Sequence, residues 1–142
     1  VNMVAGNIAM QFNAQNTSQA IVTACASATN AIGDAFEYLR QGKADAIITG
    51  GSEASVNQIG IAGFAALTAL SKATDPMQAS LPFDSQRQGF VMGEGAGTLV
   101  LETLDHAQQR GATILAEIVG YGTTSDAYHM TAPRPNGAVS KR

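Results

Sequence analysis

The stretch Thr17-Ser18-Gln19-Ala20-Ile21-Val22-Thr23-Ala24-Cys25-Ala26-Ser27-Ala28 carries the reading of this chain. Ile21, Val22 and Thr23 are β-branched and consecutive, which suits a short buried strand over Thr17–Ala24 ending beside the only cysteine. Small residues then take over. From Ala26 to Gln41 the apolar positions Ala28, Ile32, Ala35, Phe36 and Leu39 recur at three- and four-residue spacing, with Arg40 in the last turn and Gly42 as a stop. That pattern predicts an amphipathic helix with Cys25 at its N-terminal edge.

Outward from there, Ala44–Gly51 reads as an apolar strand closed by a glycine pair, so strand, helix and strand fall within the span of a right-handed βαβ unit and predict a parallel sheet. Ile59–Leu70 is an Ala-rich helical stretch. Ser71–Gly97 is loop-like, Thr98–Glu102 a strand, Leu104–Arg110 a short helix stopped by Gly111, and Ile114–Val119 a further strand before the polar loop 122–137. A loop as long as 71–97 is a candidate for function.

Composition bounds the function. The 142 residues fit one domain, and charged residues make up 13%, about half the usual share of roughly 25%, so much of the surface is expected to be covered. A net charge of −3 with scattered Lys and Arg offers no footprint for nucleic acid or an anionic membrane, and no apolar run reaches a membrane span. No basic start followed by an apolar stretch suggests a signal peptide. A single Cys fits a reducing cytoplasm. The start at Val1 and the absence of a closing element over residues 139–142 read as a fragment.

A cysteine placed between a strand and a helix sits near unpaired amides and the positive end of the helix dipole, where thiolate is favoured. Small neighbours leave room for a tight turn and for a substrate to reach sulfur, as in a nucleophile elbow. Placement alone leaves the other reading open, that Cys25 is a small buried hydrophobe. Gly93, Gly95 and Gly97 precede a strand, whereas a dinucleotide-binding fingerprint follows a strand and opens a helix.

Thr23–Ala28 with Asn30–Gly33 resembles the active-site segment of the β-ketoacyl-acyl-carrier-protein synthases, condensing enzymes of fatty-acid synthesis, and within them the type II branch. The resemblance continues through Gly50–Ala54, through Pro82, Phe83, Asp84, Arg87, Gly89, Phe90, Val91 and Gly93–Gly97, and through Ser125–Thr131. It implies a thiolase-like layered α/β/α fold, with residues 1–103 ending the N-terminal half and 104–142 starting the C-terminal half. It also implies an acyltransferase in which Cys25 attacks the acyl thioester, with its backbone N–H in the oxyanion hole, before decarboxylative Claisen condensation with malonyl-acyl-carrier protein. Ala24, Gly60 and Phe64 would line the acyl pocket, and Asp126, His129 and Thr131 would form an entrance loop. Implied partners are acyl carrier protein, acyl and malonyl thioesters and a second copy of the chain in a homodimer. No metal or resident cofactor is expected, since the substrates ride on the carrier's phosphopantetheine.

The family's two catalytic histidines, its active-site Lys and its gating loop are expected beyond residue 142. His129 is therefore expected to order its loop through Asp126, and His106 to be solvated. Asp84, Arg87 and Glu94 are expected to form a local polar network, with Gln88 standing where the family carries Asp. Thr68 stands where relatives carry a basic residue directed at the carrier protein. Alternatives are a polyketide ketosynthase, against which stand Val22 and Ala26, and a non-catalytic condensing-enzyme partner, which would lack the nucleophile.

Overall fold

Ser27–Arg40 forms a 14-residue helix, within a residue of the predicted span; its Ala35 and Leu39, four residues apart, bury one face, and Gly33 is buried on another. A computed structural model describes residues 1–139. The elements run α1 (Met3–Phe12), α2 (Ser27–Arg40), β1 (Ala46–Glu53), α3 (Gln58–Ala66), β2 (Gly95–Glu102) and α4 (Leu104–Gln109). The chain divides into two compact units, Val1–Gly50 with the residues from Thr98 onward, and Gly51–Gly97.

In the first unit α1 ends at Asn13, whose left-handed φ of 52° suits an asparagine at a helix end. The sequence reading assigned nothing over 1–16. Asn16 then ties the following segment to the turn after α2, its Nδ2 donating to the Lys43 carbonyl at 2.9 Å. That turn closes at Gly42 with φ 67°, as a helix stop requires. The Thr103 amide donates to the Asp45 carbonyl at 3.0 Å, setting the end of β2 beside the start of β1. The pair therefore runs antiparallel.

This corrects the expected parallel βαβ unit. Residues 17–23 carry no regular structure, and neither do residues 114–119. The only sheet among the described residues is β1–β2. Both segments are rich in apolar and β-branched residues. A strand, however, exists only where a neighbouring ladder accepts its amides and carbonyls, and neither segment meets one here. The first strand of the βαβ unit is therefore missing and no crossover forms. Residues 140–142, covered by the expectation that 139–142 add no closing element, lie outside the described residues.

In the second unit Asn57 caps α3, its side-chain oxygen accepting from the Gly60 amide at 2.9 Å. The helix ends in a Schellman motif: the Ala69 amide reaches the Phe64 carbonyl at 3.2 Å and the Thr68 amide the Ala65 carbonyl at 2.9 Å. Downstream, Leu70 and Phe90 form a parallel bridge, with Gly89 at φ 140° beside it. A Cβ at Gly89 would press on the Ala69 and Leu70 backbone, so only glycine lets these strands of loop approach. Among the described residues no helix is long and apolar enough to cross a membrane.

Candidate active site

Cys25 is the middle residue of a single 3₁₀ turn, Ala24–Ala26, that leads directly into α2. It is exposed. Ala24 immediately before it has φ 50°, a left-handed conformation that costs a non-glycine residue about 1–2 kcal/mol. The sulfur thus sits on a strained turn at the mouth of a helix, the arrangement expected of a nucleophile elbow.

Three local hydrogen bonds hold the turn. The Ser27 hydroxyl donates to the Ala24 carbonyl at 2.7 Å, and the Thr23 amide donates to Ser27 Oγ at 2.8 Å. The Thr23 hydroxyl donates to Asn30 Oδ1 at 2.5 Å, reaching one turn into α2. The sequence reading set Cys25 at the N-terminal edge of α2, where the structure has it, but missed this scaffold. Its only signal was Ser27 four residues after Thr23, a spacing that lets a side-chain oxygen cap the turn.

The expected acyl-pocket residues fall in different units: Ala24 in the first, Gly60 and Phe64 on α3 in the second. Gly60 has no room for a side chain, since a Cβ there would overlap the Ser55 carbonyl and meet the Met92 methyl group. Phe64 stands 38% exposed, its ring edge-on to Phe90 with centroids 5.3 Å apart at 81°. Beside Phe90, an apolar cavity of about 240 Å³ is lined by Val56, Ile61, Leu70, Val91 and Met92 among others.

In the expected entrance loop, Asp126 and His129 take separate partners rather than each other. His129 Nδ1 accepts from the Thr131 and Ala132 amides at 3.1 and 3.0 Å, so this nitrogen carries no proton and the hydrogen sits on Nε2. Asp126 Oδ2 accepts from the Arg134 amide at 3.0 Å, and the Arg134 guanidinium lies over the Tyr128 ring. Thr131 thus enters the loop through its backbone. Asp126 and His129 both order the loop, by different bonds.

Two further expectations change. Arg87 Nη1 donates to the Asp84 carbonyl at 2.7 Å, but Glu94 accepts from the Val56 amide at 2.8 Å, so it stands apart from that pair. His106, expected to be solvated, bonds Glu102 through Nδ1 at 2.7 Å and is 40% exposed. The Glu102 carboxylate is gripped by Arg110, and that hydrogen bond holds its pKa down at about 2 against burial, which pushes it up.

Residues 1–107 match the family described as β-ketoacyl synthase, N-terminal domain. The 3-oxoacyl-[acyl-carrier-protein] synthase 2 of Staphylococcus aureus is 54% identical over 141 residues, 99% of this chain and 35% of that protein. Among solved structures, a type II polyketide ketosynthase complexed with its acyl carrier protein and bound to a hexaketide superposes with a TM-score of 0.90 at 41% identity, covering 95% of this chain and 34% of that one. A β-ketoacyl synthase from Burkholderia phymatum gives 0.86 at 43% identity, covering 92% and 32%. The chain thus spans about a third of the length of the relatives it matches. These likenesses carry the ketosynthase, thiolase-like α/β fold. Sequence match, shared fold and the cysteine turn agree, and the chain belongs to the β-ketoacyl synthase family.

Proposed function

We propose that this chain is the cysteine-bearing part of a 3-oxoacyl-acyl-carrier-protein synthase that lengthens fatty acyl chains by two carbons. The observation that carries the reading is Cys25 exposed on a strained turn before α2. Its thiolate attacks the carbonyl of an acyl-carrier thioester. The tetrahedral oxyanion accepts from the Cys25 backbone N–H, and the carrier's phosphopantetheine thiolate leaves. Malonyl-carrier protein then loses carbon dioxide. The carbanion attacks the acyl-Cys25 carbonyl, the new carbon–carbon bond forms, and the Cys25 thiolate is released. No resident cofactor or metal takes part in this scheme.

Ala24, Gly60 and Phe64 are the residues proposed for the acyl pocket, a role that the half-exposed Phe64 ring suits. The Asp126, His129 and Thr131 loop would guide the carrier's arm. A thiol nucleophile that must stay reduced fits the cytoplasm. Supporting a carrier protein as partner is the solved relative complexed with its acyl carrier protein. A homodimer is supported by residues 17–23, whose backbone meets no ladder while Val22 is 70% exposed.

The polyketide relative favours a second reading, a ketosynthase that extends a poly-β-keto chain. Both readings are tested on the full-length enzyme. At neutral pH a thioester or epoxide inhibitor should label Cys25 alone, Cys25→Ala should be neither labelled nor active, and saturated acyl-carrier substrates should be elongated. Labelling of the Ala variant would overturn the nucleophile assignment. A preference for poly-β-keto substrates would favour the second reading. The 142 residues by themselves should be inactive.

A further inference from the structure

Beyond the turn itself, one side chain far along the chain reaches the cysteine segment. Asn30 Nδ2 donates to the Tyr121 oxygen at 2.5 Å, while Asn30 Oδ1 accepts from the Thr23 hydroxyl two residues before Cys25. The amide of Asn30 therefore joins Tyr121 to Thr23 in one chain of bonds. Asn30 and Gly33 are three residues apart on α2 and share a face. A Cβ at Gly33 would overlap the Tyr121 ring, so the ring lies directly over the bare glycine. Contact fixes the ring and the bond fixes its hydroxyl.

Ala24 in a left-handed conformation relaxes to ordinary backbone unless its surroundings hold it. On the α2 side Ser27 holds the Ala24 carbonyl and the Thr23 amide. The Thr23 hydroxyl supplies the outer anchor, and that anchor ends on Asn30 and Tyr121. We propose that Tyr121 is a positioning residue for the nucleophile: through Asn30 and Thr23 it keeps Ala24 left-handed and sets the direction in which the Cys25 sulfur leaves the turn. The role rests on Cys25 being the nucleophile.

The test uses the full-length enzyme with Tyr121→Phe, Asn30→Ala and Thr23→Val, which remove the hydroxyl, the bridge and the anchor in turn. The readouts are the alkylation rate of Cys25 by iodoacetamide, followed on the Cys25 peptide by mass spectrometry, together with kcat, KM and the melting temperature. Each variant should lower the alkylation rate and kcat by about five- to tenfold with KM unchanged. The Tyr121→Phe/Asn30→Ala pair should lose no more than Asn30→Ala alone, as members of one network do. Parent-like alkylation and kcat in Tyr121→Phe and Thr23→Val, whatever their melting temperatures, would reduce Tyr121 to a packing residue and overturn the proposal. Condensation by Cys25→Ala would instead overturn the nucleophile reading, so the two failures are distinguishable.

Discussion

Arg110 closes on Glu102 with both arms of its guanidinium, Nε donating to Oε1 at 2.7 Å and Nη2 to Oε2 at 2.5 Å. The pair joins the end of β2 to the residue after α4, and His106 adds a third bond from within that helix.

Glu102 is held at about 2 when folded against 4.5 as its ordinary value. A carboxylate with a depressed folded pKa stabilises fully above its unfolded value, and that contribution disappears as pH falls toward the folded one. The melting-temperature gap between the full-length parent and Arg110→Gln should therefore be at its full width from about pH 5 upward and narrow toward about pH 2.5. A gap that stays constant over this window would assign Arg110 a packing role only.

Two glycines of α3 should respond oppositely to alanine. Gly63 has nothing within 4 Å of where a Cβ would sit, so Gly63→Ala should raise stability by ~0.5–1 kcal/mol through helix propensity. Gly60→Ala meets the Ser55 backbone and should cost ~1–3 kcal/mol by overpacking. Denaturant midpoints of the two variants give the signs directly, and equal shifts would mean that Ser55 moves aside freely.

Thr68 ends the Schellman motif of α3 at φ 55°, a conformation that disfavours a β-branched residue. Thr68→Gly should raise the denaturant midpoint by the equivalent of ~1 kcal/mol. Thr68→Val, which keeps the branching, should not. A lowered midpoint in the Gly variant would show that the Thr68 hydroxyl, bonded to the Leu67 carbonyl at 2.7 Å, outweighs the backbone strain.

If the backbone over residues 17–23 pairs with its copy across a two-fold axis, Ile21→Asp brings two like charges together near that axis. The full-length variant should then be monomeric by light scattering and lose condensation activity. An active monomer would refute the dimer.

Much of the helical layout was legible in the residues themselves. The 3.6-residue spacing of Ile32, Ala35, Phe36 and Leu39 and the Gly42 stop are local signals, and local signals fix a helix because its hydrogen bonds close within one segment. The placement of Cys25 at the head of that helix followed from the same arithmetic, and the motif blocks around it named the family. A strand is different, since its partners lie elsewhere in the chain or in another chain. Residues 17–23 and 114–119 have strand-like composition and yet carry no ladder, while β1 and β2 found each other antiparallel. The side-chain bonds show the same division. Asn30 meets Tyr121 across 91 positions, and Arg110 and His106 converge on Glu102. No spacing rule announces such pairs, because their members become neighbours only when separate elements pack. The sequence by itself determined which residue is the candidate nucleophile and which helix presents it. Tertiary structure alone decided what holds that residue in place, because the strain at Ala24 and the bonds that restrain it exist only in the folded chain.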